Sequence, residues 1–194
     1  MLLLSLIELD RILFESINVG MSNPVFDAII PWIRNKYMWV PMYVFMIAFL
    51  LINFGKKGYY TLLCILLTVT TSDLVSSRLI KQTVERLRPC NSEHLFESIN
   101  LLIRCGSGYS FTSSHATNHF ALATFFILWM GRHFGNWKWM FAGWAFLIAY
   151  GQVYVGVHYP MDVFAGGILG VVIGKLWFWF YDLNFDHPLG GMTI

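Results

Sequence analysis

A histidine, a proline and an aspartate stand within five residues of one another in the stretch Gly151-Gln152-Val153-Tyr154-Val155-Gly156-Val157-His158-Tyr159-Pro160-Met161-Asp162. Pro160 suits the first turn of a helix, where its missing N–H costs nothing. The apolar run after it reads as that helix, with Asp162 in its first turn. An aspartate there can reach back to a histidine just outside the helix, fixing the His158 tautomer and raising its nucleophilicity. The same pair also reads as a buried polar contact that holds two helices together.

Two further groups carry chemistry-bearing side chains. In Lys81-Gln-Thr-Val-Glu-Arg-Leu-Arg88-Pro89 the two outer cations are seven residues apart, two turns on one side of a helix. Asp73, Ser77 and Lys81 also share a stripe at spacing four. Fixed cations at a helix end suit a phosphate, and Arg88 can bind two of its oxygens at once. The plain alternative is a juxtamembrane cluster drawn to lipid head groups. The other group, Tyr109-Ser-Phe-Thr-Ser113-Ser114-His115, ends a loop and opens a helix, whose free N–H groups form an anion site. Ser113 and Ser114 add hydroxyl donors and His115 could protonate a leaving oxygen. Either serine alone could equally be a helix cap. His119, one turn on, reads as a packed residue.

The elements that must position these residues follow from composition. Of 194 residues, 57% are hydrophobic and only 12% charged. Mean hydropathy is +0.58. Soluble domains average roughly 25% charged residues, so the class is an all-α integral membrane helical bundle. A net charge of +2 without basic tracts is too small to argue for nucleic acid, and none is expected as a partner. Residues 1–36 read as amphipathic interfacial helices, the second broken at Pro31. Five spans follow, at 37–54, 59–80, 114–131, 139–157 and 160–181, each close to the ~20 residues that cross a bilayer. A hydrophilic loop covers roughly 81–112, residues 132–138 form a tight turn, and 183–194 are a tail. The chain is one domain: a transmembrane bundle over 37–182 with an active-site loop at 81–114. Trp and Tyr cluster at the run ends, as interface anchors do. Alternating spans bring the amino terminus, the polar end of the second span, the loop and the 151–162 junction to one membrane face. Ionisable residues gathered there are costly unless they serve function.

Together the three groups resemble the signature motifs of the type 2 phosphatidic acid phosphatase family, relatives of vanadium haloperoxidases and glucose-6-phosphatase. The family pattern reads KxxxxxxRP, then PSGH, then SRxxxxxHxxxD. The first is complete in Lys81, Arg88 and Pro89. The second stands as Thr112-Ser113-Ser114-His115. The third keeps His158 and Asp162 at the family spacing but has Gly151-Gln152 for its Ser-Arg. The resemblance implies that His158 forms a phosphohistidine, oriented by Asp162, and that His115 protonates the leaving group. It implies that Lys81, Arg88, Ser113 and the backbone at Ser114 hold the phosphoryl oxygens. No metal or cofactor is implied, because Lys and Arg supply the counter-charge. Gln152 would be a neutral donor where the family has a cation, and Arg86, Arg104 or Arg78 is the expected source of the missing charge.

Cys90 and Cys105 lie in the 81–112 loop and suit a disulfide if that loop faces an oxidising compartment. Cys64 reads as core. The positive-inside rule favours a cytoplasmic site, with Arg11, Arg34, Lys36, Arg78, Lys81, Arg86, Arg88 and Arg104 on the site face. The resemblance and the cysteine pair favour the periplasmic face of a bacterial inner membrane. The expected substrate is a lipid phosphate or pyrophosphate whose tails stay in the bilayer: undecaprenyl pyrophosphate, phosphatidylglycerol phosphate, phosphatidic acid or lipid A phosphate. Two other classes stand beside this reading. One is a metal-dependent membrane enzyme using His115, His119 and His158; the other is a non-catalytic lipid-phosphate binding or transport relative.

Overall fold

The computed structural model describes residues 2–92, 98–131 and 135–186, and every regular element among them is helical. The start of the predicted 132–138 turn and the tail beyond 186 lie outside the described residues. Helices α1 (Leu2–Asn18) and α2 (Pro24–Ile33) come first, then α3 (Val40–Asp73), α4 (Lys81–Val84), α5 (Ser114–Met130), α6 (Trp139–Tyr154) and α7 (Pro160–Tyr181). Two helical stretches, Lys36–Asn91 and Pro160–Phe185, are long and apolar enough to cross a bilayer.

The first of these reverses on itself at Gly55, whose φ of 50° and ψ of −125° leave helical space. Glycine adopts that backbone without a Cβ clash. Gly58 then faces the returning leg so closely that a Cβ there would sit 2.1 Å from the Leu50 carbonyl. α3 is therefore two legs, 40–54 and 56–73, packed side by side through Leu50, Cys64 and Ile65.

α7 is inside-out relative to a soluble helix. It buries Gly166, Gly167, Gly170 and Gly174, and exposes Phe164, Ile168, Val172 and Leu176. Small residues facing a neighbouring helix let backbones approach, the pattern that lipid solvent favours. A Cβ at Gly170 would lie 2.4 Å from the Thr117 carbonyl, and one at Gly174 2.4 Å from that of Ala121. This seam clamps α5 against α7 and sets the start of α5 beside the start of α7.

Two expectations change. Pro31 does not break α2, which runs on to Ile33. The ring forfeits one backbone bond close to a helix end that was about to come anyway. Lys81 and Arg88 are not two turns of one helix, because α4 stops at Val84 and Glu85 is left-handed at φ 52°. Pro89 disfavours helical backbone at the residue before it, and Arg88 is extended. α1 is also turned differently from a simple interfacial helix. Asp10, Phe14 and Asn18 form its buried stripe, while Leu6, Ile7, Leu9 and Leu13 point outward. Asn18 joins α1 to the site loop and to the end of α6, donating to Asn100 O at 2.9 Å and to Tyr154 O at 2.7 Å.

Candidate active site

Pro160 opens α7 as its first residue and Asp162 follows in the first turn. The carboxylate turns back toward the preceding loop. Its Oδ2 accepts the Tyr159 N–H at 2.9 Å and the Ser110 hydroxyl, and lies 3.5 Å from His158 Nδ1. Ser110 Oγ is itself 3.3 Å from His158 Nδ1. Nδ1 thus faces two oxygens, one anionic, and is held as the N–H. That leaves the Nε2 lone pair for chemistry. Arg88 Nη1 sits 3.2 Å from Nε2. Burial lowers the His158 pKa to about 4, against the pull of Asp162, with Arg88 adding to the depression. The ring is neutral at physiological pH, as a nucleophile must be.

Behind Asp162 lies a second layer of charge. Arg86 donates to Asp162 Oδ1 at 2.7 Å and to Asp10 Oδ2 at 2.6 Å, and stacks 4.0 Å over the Tyr159 ring. Asp10 Oδ1 accepts the Met161 N–H at 2.8 Å. Burial pushes the Asp10 carboxyl up, and the bond from Arg86 pulls it back. The sequence offers Asp10 only as one polar residue of an amphipathic helix and Ser110 as one loop serine; separations of 152 and 52 residues from Asp162 hide both contacts.

On the other side of His158 is a cavity of about 430 Å³. Lys81, Arg88, Ser114, His115, Gln152 and His158 line it, with Arg34 and Arg104. Lys81 is almost fully buried and its Nζ donates to Tyr109 O at 2.9 Å. Arg88 is braced by Gly108 O at 2.8 Å and Val157 O at 3.1 Å. A Cβ at Gly106 would come within 3.2 Å of the Arg88 guanidinium carbon, so a glycine there lets the side chain lie along the loop. The disulfide Cys90–Cys105, with Cα atoms 5.9 Å apart, ties that loop beside Arg88. His115 enters from the first turn of α5.

The structure thus brings Lys81, Arg88, Ser114, His115, Gln152 and His158 to one cavity, with Asp162 immediately behind His158. Ser113 is not among the lining residues. It is fully buried as the N-cap of α5, where its Oγ accepts the Ala116 N–H at 3.4 Å and its own N–H donates to Asp162 O at 3.0 Å. His119 packs edge-on to Trp144, centroids 4.8 Å apart, with Nδ1 against His115 O at 2.7 Å.

A helical fold of lipid-facing apolar residues, with a cation-lined cavity around an oriented imidazole, defines a membrane protein built to handle a phosphoryl group. Residues 61–186 match the model of the PAP2 superfamily, and the chain belongs to that family. Lipid A 4'-phosphatase of Bacteroides thetaiotaomicron is 34% identical over 181 residues, covering 89% of this chain and 79% of that protein. The crystal structure of Aquifex aeolicus LpxE superimposes with a TM-score of 0.65 at 28% identity, over 87% of this chain and 94% of the other. The PAP2-type phosphatidylglycerolphosphate phosphatase of Bacillus subtilis shares the fold, with a TM-score of 0.74 at 22% identity over 93% and 88% of the two chains.

Proposed function

We propose that the chain hydrolyses a phosphate monoester carried by a bilayer lipid, with lipid A as the favoured substrate class, through a phosphohistidine at His158. One observation carries the chemistry. A buried, neutral imidazole is oriented from behind by Asp162 and Ser110 and faces a cavity lined by Lys81 and Arg88. Nε2 attacks phosphorus and the P–O ester bond breaks. His115 gives its proton to the departing oxygen. Water then attacks the phosphohistidine, the P–N bond breaks, and His115 takes the proton back. Lys81, Arg88, Ser114 and the free N–H groups at the start of α5 hold the equatorial oxygens, which grow more anionic at the transition state. Gln152 adds an uncharged donor.

The same reading extends to the membrane setting. The two legs of α3 with α5, α6 and α7 make five spans, and α1 and α2 lie in the interface on the site side. The site faces the periplasm, a reading supported by the Cys90–Cys105 bridge in its loop, since such bridges persist in oxidising compartments. The lipid A preference rests on the 34% identical relative.

The test is phosphate release in detergent from lipid A, undecaprenyl pyrophosphate, phosphatidylglycerol phosphate and phosphatidic acid, by wild type and His158→Ala. Release from lipid A by wild type, unchanged by a strong chelator and absent in the variant, is the expected result. Equal release by both proteins contradicts the proposed nucleophile, and preference for another lipid of the panel overturns the substrate class.

A further inference from the structure

Arg34 closes the end of α2 and carries a charge that no carboxylate among the described residues pairs with. It enters no ion pair or side-chain hydrogen bond among the described residues, and its buried Nε has no partner. It nevertheless lines the same cavity as Lys81, Arg88 and His158. Burial, and then the neighbouring Arg88, lower its pKa to about 10. A half-buried guanidinium placed among other cations costs free energy unless an anion joins it.

The surroundings of Arg34 match the two departures in the third motif. Its stem crosses α6 at Gly151: a Cβ built there would lie 3.2 Å from Arg34 Cβ and 3.3 Å from Ile30 Cγ2. The serine of the motif pattern would crowd this crossing, and glycine leaves room for it. Next to it, Gln152 stands where the pattern has arginine. Its Nε2 makes a long bond of 3.3 Å to Ile148 O, and its Oε1 is buried without a donor. The other arginines are placed differently. Arg86 is committed to Asp10 and Asp162, Arg78 is not among the cavity residues, and Arg104 lines the cavity but is exposed, where Arg34 is half-buried.

We propose that Arg34, supplied by α2 across Gly151, is a phosphate-binding residue of this chain and carries the charge that the motif pattern assigns to the Gln152 position. The cation has moved from α6 to α2, and the Gly151-Gln152 pair is what allows the move. The assignment rests on the phosphatase reading above.

The experiment compares wild type with Arg34→Met, which keeps an apolar stem over Gly151, with Arg34→Lys, and with Arg34→Met/Gln152→Arg. Arg34→Met is expected to lose about 10- to 100-fold in kcat/KM, the range for one hydrogen bond to a charged group. Inhibition by inorganic phosphate weakens by a similar factor, while the thermal midpoint stays level or rises. Added guanidinium restores part of the rate, and Gln152→Arg in the same chain restores most of it. Arg34→Lys falls between. Activity of Arg34→Met within about twofold of wild type overturns the assignment. So does a loss that neither guanidinium nor Gln152→Arg repairs while phosphate inhibition is unchanged. Should wild type release no phosphate at all, thermal stabilisation by inorganic phosphate gives a separate readout. Stabilisation of wild type that Arg34→Met lacks supports the assignment, and equal stabilisation of both contradicts it.

Discussion

The two sides of His158 are charged in opposite ways. Behind the ring every charge has a partner: buried Asp162 and Asp10 share the half-buried Arg86, at 2.7 and 2.6 Å. In front, Lys81, Arg88 and Arg34 stand around the cavity with no carboxylate among its described lining residues. The paired side is finished on folding and serves to orient. The unpaired side keeps electrostatic stress in the empty protein, which a bound phosphate would relieve in the function proposed above. A site that must bind an anion cannot satisfy its own cations in advance, and that asymmetry identifies the working face without reference to any ligand.

Breaking the junction between the two sides should have the largest effect. Asp162→Asn removes the charge that holds the His158 tautomer, and turnover should fall on the order of 10⁴-fold, the scale for losing an orienting carboxylate. Phosphate release per folded protein, measured well below the variant's thermal midpoint, checks it. Next, Lys81→Met removes one front-side cation while keeping its bulk. It should cost about 10²-fold in kcat/KM, as for one transition-state donor, with stability held within about 1 kcal/mol. A fall in midpoint as large as the fall in rate would show that Lys81 is structural.

The paired side should respond the other way. Arg86→Met strands Asp162 and Asp10, and should cost about 3–5 kcal/mol of stability, read by denaturation in detergent. Little change in midpoint would mean that the triad is not a closed unit.

These residues differ in how well the sequence displays them. His115, His158 and Asp162 can be read from it because each lies at a fixed short distance from a helix start that is itself legible, and Lys81 and Arg88 because their spacing matches a motif pattern although the helix expected between them is absent. Pro160 and Ser113 mark those starts. The helical reversal at Gly55 and the loop between the cations and α5 are likewise visible as breaks in apolar runs. Asp10 and Arg34 cannot be read. They come from α1 and α2, whose periodicity describes one face against lipid and says nothing about which polar residue will reach the loop. The glycine seam of α7 is spaced by fours in the sequence, but an apolar helix with small residues does not say which neighbour it receives. The early stop of α4 depends on a left-handed Glu85, for which glutamate gives no local signal.

The smallest effect sharpens the front-side reading. The His158 ring should titrate near 4 in an NMR experiment on labelled protein, well below the 6.5 of a free side chain. The folded value lies below the unfolded one, so the neutral ring contributes its full stability above about pH 6.5 and loses it as the pH falls toward 4. A midpoint at 6.5 would place the ring in water.

The most direct measurement of the central claim is rapid acid-free quenching of turnover with phosphate-labelled lipid A, followed by peptide mapping. The account predicts an acid-labile, alkali-stable phosphoryl group on the peptide that contains His158, absent from His158→Ala. Turnover by wild type without a label at that position, or the same label in the variant, would contradict it.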